Sequence, residues 1–488
     1  SSCAAMSFVA RLGRVLESPA FRHHGCCGCC RVDGACGVAY AATACLTPLV
    51  ASMSLGFTSP ALDTMKGRTQ GASAVPAELV VFGRGGGADD EAASLFSSLV
   101  NVGALVGALS GGWLCKQAGR CNSLRLAAVL IGACWWWVAL ATSALDLCLA
   151  RVFMGLGVGL QSVATPTFIA EVSPPALRGT LGTMNAGAIL MGVMVVDFLG
   201  GSILRAGAEG EFCAWRKLAC FVAVCAVVLL GATTVLPEPS RARRILGERS
   251  PETVAVEATV QDDGVRAVPG MAWTVLAGLV PMVWQQLSGV NAVIFFGQSI
   301  LQAGGVGGAN LLGVGVIAVQ LAGIVLAASI IEVLGRRPLL LGSCMGMAVG
   351  AGSLAFFLWL PRPPAVGVVG ALCVYVLAFS LGLGPVPWLL LPELDLPKKV
   401  RVTLASIATA ANWACSFAVT GPPLVCLQSV CGLPGVFAVF SGICALGTVL
   451  IALLVPETKE RRRRQGLERR FTFNLSPRGS LRGALSVS

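Results

Sequence analysis

Three carboxamides stand out in an apolar chain. Gln285, Gln286 and Asn291 fall within Gln-Gln-Leu-Ser-Gly-Val-Asn, between runs of aliphatic residues. A carboxamide donates from nitrogen and accepts at oxygen, so it meets a hydroxyl in either role. Amides in lipid-embedded helices also bond neighbouring helices. Two adjacent glutamines followed by Ser-Gly and Asn favour a ligand, on a stretch expected to unwind near Gly289. Trp388 follows Gly384-Pro-Val-Pro387, where two prolines interrupt the backbone ladder. Broken helices beside a cavity are tolerated because water or ligand satisfies the freed groups. An indole at such a break is either a ring-stacking surface or an interfacial anchor. With only two His and two Tyr, metal and haem chemistry are not indicated. No catalytic group, metal ligand or cofactor is expected, and the chain does not read as an enzyme.

The elements that carry these residues follow from composition. The chain is 55% hydrophobic and 12% charged, with a mean hydropathy of +0.79. A soluble domain carries about 25% charged residues, so most of this surface faces something apolar. Sixty glycines suit close helix approach in a bilayer. Apolar stretches of about 20 residues, long enough to span, recur near 38–62, 93–114, 124–145, 147–170, 179–203, 213–236, 272–302, 307–331, 338–360, 364–391, 402–426 and 433–455. Weak alternation argues against a β-barrel. The expectation is an all-α membrane protein of twelve transmembrane helices. With the N-terminus taken as cytoplasmic, Lys and Arg concentrate in the inner loops. The net charge of +11 is then mostly a topology signal. It leaves no soluble basic face for nucleic acid, and the tail arginines suit anionic inner-leaflet lipid.

Short motifs repeat across a polar segment that begins at Pro237. Gly119-Arg120 matches Gly335-Arg336, 216 residues on. Glu171 with Arg178 matches Glu393 with Arg401, and Pro237-Glu238 matches Pro456-Glu457, at offsets of 222 and 219. Near-equal offsets in order imply two homologous halves, an organisation that places a transporter's substrate site at the midplane between them. The expected divisions are a cytoplasmic Cys-rich segment (1–37), an N-terminal six-helix half (38–236), a cytoplasmic linker (237–271), a C-terminal six-helix half (272–455) and a cytoplasmic basic tail (456–488). Residues 1–37 do not read as a signal peptide, and the tail is expected to be disordered.

These motifs resemble the sugar porter family of the major facilitator superfamily, from about Leu55 to Lys459. The resemblance is carried by Arg151…Gly155-Leu-Gly157…Pro166…Glu171…Pro174…Arg178-Gly179, Gln285-Gln286-Leu-Ser-Gly-Val-Asn291, Gly335-Arg336-Arg337, Gly384-Pro-Val-Pro-Trp388, Asn412-Trp413 and Pro456-Glu-Thr-Lys459. It implies two pseudo-symmetric six-helix halves and alternating-access transport of a hexose-type sugar or related polyol. A sugar presents hydroxyls around a ring with apolar faces, which neutral amides and an aromatic surface suit. The implied substrate contacts are Gln285, Gln286, Asn291, Gln320, Trp388, Asn412 and, less directly, Trp413. Phe295 and Phe296 take the place of the family's paired tyrosines as an outer lid. An inner charge cluster, Arg151, Glu171, Arg178, Glu238 and Arg241 with Glu332, Arg336, Glu393 and Arg401, is implied to pair in one state and separate in the other. Exposed pairs of ~0–1 kcal/mol each suit such a switch.

Departures from the family pattern sharpen the expectations. Ala186 stands where the family has Gln, and Asn185 beside it is expected to point about 100° away. Lys116, Gln117 and Cys121 degrade the N-half switch motif. Proton-coupled members carry an Asp after a Gly-aromatic pair in helix one; here Gly56-Phe57 is followed by Thr58, which favours facilitated uniport over proton symport. Asp197 is the other intramembrane carboxylate, expected near the outer mouth or a partner. A non-transporting sugar sensor is the alternative of another class. Cys26, Cys27, Cys29, Cys30 and Cys36 leave S-palmitoylation, zinc binding with His23 and His24, or no role open. The plasma membrane is the expected location.

Overall fold

The computed structural model describes residues 30–65, 88–173, 177–200, 214–238, 271–306, 309–394 and 396–457. The Cys26–Cys29 cluster, Arg241, most of the linker and the tail lie outside them. The described residues form sixteen α-helices and no strand. In chain order these are α1 (Cys30–Ala44), α2 (Leu46–Gly56), α3 (Thr58–Met65), α4 (Ala88–Gln117), α5 (Arg120–Leu140), α6 (Ala144–Val172), α7 (Arg178–Phe198) and α8 (Ala214–Thr234). They continue with α9 (Met271–Leu287), α10 (Val290–Ala303), α11 (Ala309–Leu334), α12 (Arg336–Trp359), α13 (Ala365–Leu381), α14 (Val386–Glu393), α15 (Lys398–Thr420) and α16 (Pro422–Leu454). Among the described residues, twelve helical runs are long and apolar enough to cross a membrane. Spans one, seven and ten are each built from two helices, α1–α2, α9–α10 and α13–α14.

Local chemistry sets the breaks. The third span ends at Leu140, earlier than the apolar run to 145 suggests. Ser143 caps α6 there, its hydroxyl accepting from Asp146 N at 3.1 Å. Span seven breaks at Gly289, whose φ of +91° suits glycine. Span ten breaks at Gly382–Gly384, before the two prolines.

The two halves have separate cores. One apolar cluster runs from Val50 to Leu229 and takes in Phe295, Ala410 and Trp413 of the second half; the other runs from Met282 to Val455. In the first, α4 and α6 pack backbone to backbone through Gly103 and Gly107 against Gly155 and Gly159. A Cβ on Gly155 would strike the Val100 carbonyl, and one on Gly159 the Ala104 carbonyl. Backbone cannot yield as a side chain can, so Gly155→Val is expected to abolish folding. A purified-protein elution profile showing a monodisperse Gly155→Val variant at wild-type yield would refute this.

One end of the bundle carries the charge motifs, arranged alike in each half. Gly119 and Gly335 take φ of +88° and +93° ahead of α5 and α12. Glu238 accepts from the backbone N–H of Arg120 (3.2 Å) and Cys121 (2.9 Å); Glu457 accepts from those of Arg336 (3.3 Å) and Arg337 (3.2 Å). A carboxylate thus caps each helix N-terminus and complements its dipole. Arg120 pairs with Glu171 at 2.7 Å, and Arg336 pairs in a two-pronged contact with Glu393, both arms at 3.1 Å. These pairs lie within one half each. Arg401 donates to the carbonyls of Pro392 and Leu396. The side chains of Arg178 and Glu332 are not among those described.

Arg151 does not belong to this cluster. It sits two turns into α6, at the end opposite Glu171, and is fully buried. Its guanidinium donates to Ser54 O and to Thr58 Oγ1 (3.2 Å), over the rings of Phe96 (4.5 Å) and Phe57 (5.2 Å). Twenty residues of helix at 1.5 Å each separate it from Glu171 by about 30 Å, so the shared motif in sequence does not make a shared site. Asp197 is buried near the end of α7.

Candidate substrate-binding site

Between the halves lies one cavity lined by every amide and indole singled out above: Gln285, Gln286, Asn291, Gln320, Trp388, Asn412 and Trp413. Asn412 is the hub. Its Nδ2 donates to Met282 O at 2.7 Å and Gln285 Oε1 at 2.9 Å, while its Oδ1 accepts from Gln286 Nε2 at 3.1 Å. Gln285 Nε2 in turn donates to the carbonyls of Leu383 (2.6 Å) and Gly384 (2.9 Å). Those carbonyls are freed by the break in span ten, so Gln285 braces the break with both amide hydrogens. The break in span seven is braced similarly: Tyr375 donates to Ser288 O at 2.8 Å. Asn291 Nδ2 donates to Ser416 Oγ at 2.7 Å.

What these bonds leave over defines the site. Gln286 Oε1, Gln320 Nε2, Asn185 Oδ1 and Trp413 Nε1 are all buried without a hydrogen-bond partner. Two are acceptors and two are donors, and all four residues line the cavity. A buried polar group left unmet costs about 1–3 kcal/mol. A neutral ligand that both donates and accepts would meet all four. No charge is needed, and the half-buried Trp388 ring supplies apolar surface.

The N-terminal half contributes more than the motifs foretold. Ser52, Gln161, Ser162 and Asn185 line the same cavity. Asn185 was expected to turn away from Ala186, yet both face the cavity, which is wide enough here to take adjacent positions of α7. Gln161 belongs to no motif. Its signal was an isolated amide inside the apolar run of span four. Ala186 packs with Leu190 and Ile324 as an apolar strip where the halves meet.

The halves touch on both sides of this cavity. Toward the charged end, Leu389 of α14 fills the space beside Gly182 of α7. Toward the other end, Asn101 donates to Thr420 Oγ1 at 2.9 Å. Phe295 is buried within the first half's core although it belongs to the second, and Phe296 packs partly buried against both cores. The rings meet edge to face at 6.5 Å, and Phe296 departs from helical geometry (φ −120°, ψ 15°).

Comparison with known proteins gives the family. The family model described as "Sugar (and other) transporter" matches residues 62–465. Sugar transporter ERD6-like 6 of Arabidopsis thaliana is 31% identical over 407 residues, covering 75% of this chain and 80% of the relative. Facilitated trehalose transporter Tret1 of Culex quinquefasciatus is 30% identical over 454 residues, covering 85% and 82%. Among solved structures, the proton:xylose symporter XylE bound to 6-bromo-6-deoxy-D-glucose superposes with a TM-score of 0.72 at 23% identity, over 87% of this chain and 97% of that one.

Proposed function

The chain belongs to the family of sugar and other transporters, and from that premise we propose that it carries a hexose-type sugar by facilitated uniport. It is a multi-pass membrane protein with the major facilitator fold, it moves sugar across a membrane, and it is not an enzyme. The observation that carries the finer reading is the set of four orphaned groups, Gln286 Oε1, Gln320 Nε2, Asn185 Oδ1 and Trp413 Nε1, around one uncharged cavity. Hydroxyls of a sugar ring supply the missing donors and acceptors, and Trp388 covers a ring face. The halves rock about this midplane site without covalent chemistry.

Uniport is supported by the surroundings of Thr58. A proton relay in a membrane needs a titrating carboxylate. Among the described residues, Arg151 contacts a backbone carbonyl, a hydroxyl, a thioether and aromatic rings. The bias of Lys and Arg supports cytoplasmic termini, with the linker and tail on that side, in the plasma membrane. The charged end of the bundle is then the cytoplasmic gate, where Arg120, Glu171, Arg336 and Glu393 hold helices within each half.

Reconstituted vesicles test the reading. Labelled D-glucose should enter saturably, exchange against unlabelled sugar, and be unaffected when a protonophore collapses an imposed pH gradient. Gradient-dependent accumulation would indicate symport, and sugar binding without flux a sensor. A competition panel including trehalose and xylose would identify the substrate. Ala186→Gln places an amide beside the cavity and should raise hexose affinity roughly 3–10-fold, the effect of about one hydrogen bond. An unchanged half-saturation constant would mean that the ring sits away from α7.

A further inference from the structure

The two walls of the cavity differ in construction. Gln285, Gln286 and Asn412 of the C-terminal half are bonded to one another and to their own half's backbone, and so move as one body. The wall of the N-terminal half presents Gln161 on α6 and Asn185 on α7, both buried. One turn along α6, Thr165 Oγ1 donates to Gln161 Oε1 at 3.2 Å. This fixes the amide so that its nitrogen is the free end. That nitrogen has only a long, 3.4 Å contact to Ser162 Oγ, whose own hydrogen goes to Val158 O at 2.7 Å. Asn185 Oδ1 has no partner at all. The N-terminal wall therefore offers one oriented donor and one acceptor, flanking the apolar Ala186 where the family resemblance leads one to expect an amide.

We propose, on the basis of the sugar-transport reading above, that Gln161 and Asn185 are the sugar contacts of the N-terminal half and set how readily the loaded carrier crosses. Gln161 Nε2 donates to one sugar hydroxyl and Asn185 Oδ1 accepts from another, while the amides of the opposite half hold the ring. The two walls then do different things. A ligand shifts a conformational equilibrium only by its differential affinity for the two states. Contacts confined to the C-terminal half persist whichever way the cavity opens. Contacts reaching the N-terminal half form when the halves close over the sugar. Gln286 and Asn412 thus govern whether sugar binds, and Gln161 and Asn185 govern how readily the loaded carrier closes and crosses.

The test separates binding from crossing. Gln161→Met keeps the side-chain length and removes the donor; Asn185→Ala removes the acceptor on a different helix, so misfolding of either variant leaves the other informative. D-glucose binding to the detergent-purified protein is read from quenching of tryptophan fluorescence, and equilibrium exchange from labelled D-glucose in vesicles. The expected result is an exchange rate at saturation lowered at least tenfold, with binding changed less than threefold. Adding Ala186→Gln to Gln161→Met should restore a substantial part of the exchange, which repair of a packing defect would not do. Wild-type exchange in both variants overturns the assignment, as does a proportional loss of binding and exchange without rescue. A wild-type protein without saturable exchange would instead overturn the transport reading itself.

Discussion

Asn412→Ala should reduce sugar uptake by about 100-fold or more while the protein still reaches the membrane. The substitution removes donors to Met282 O and Gln285 Oε1 and the acceptor for Gln286 Nε2 together. Each bond is worth about 1 kcal/mol net, and each buried group left unmet costs about 1–3 kcal/mol. These bonds order the site before sugar arrives, and a site that must be re-ordered on binding at a cost of roughly 3 kcal/mol loses about two decades of affinity. The loss is larger than the count of ligand contacts suggests because Gln286 loses its orientation as well. Gln285→Ala belongs with it. Gln285 spends both N–H groups on the carbonyls of Leu383 and Gly384, so its removal loosens the break that carries Trp388. Uptake by either variant within threefold of wild type, at equal membrane abundance, would place the sugar elsewhere.

The second large effect concerns stability. The Arg336 and Glu393 side chains are only 4% and 3% exposed, against 24% each for Arg120 and Glu171. Removing one partner of a buried pair costs roughly 3–5 kcal/mol because it strands the other charge. An exposed pair is worth about 0–1 kcal/mol. Arg336→Met should therefore lower the melting temperature of the purified protein by many degrees, and Arg120→Met by few. Adding Glu393→Leu to Arg336→Met should recover part of the loss, since the buried carboxylate that faced Arg336 is removed with it. Equal shifts for the two arginines would show that burial does not distinguish the halves. The sequence alone implied a cluster of weak, exposed pairs, without Arg120 among its members. Burial makes the C-terminal one a fastening between α12 and α14, and leaves the N-terminal one the softer of the two.

Much of the molecule was legible beforehand, for reasons that can be named. Twelve spans follow from apolar run length because a bilayer core demands about 20 residues per helix. The halves follow from glycine and carboxylate motifs recurring in order at near-equal spacings. Those motifs recur because each caps a helix start: Glu238 serves Arg120 and Cys121, and Glu457 serves Arg336 and Arg337. The amides and indoles were conspicuous because lipid tolerates few polar groups without a use. All seven named from span seven onward line one cavity.

Other features depended on how helices face one another, which residue order does not encode. Arg151 shares a motif with Glu171, yet a rigid helix carries it about 30 Å away and into an aromatic surround. Gln161 belongs to no motif, and only the packing of α6 brings it to the cavity shared with the amides of the other half. Asn185 and Ala186 lie about 100° apart around α7, but a cavity where two bundles meet admits both. Composition and motif spacing determined that this chain spans a membrane in two related halves with a neutral polar centre. Only the packing of one half against the other decided which polar atoms remain unsatisfied there, because a hydrogen bond is made or missed by distances of less than an ångström.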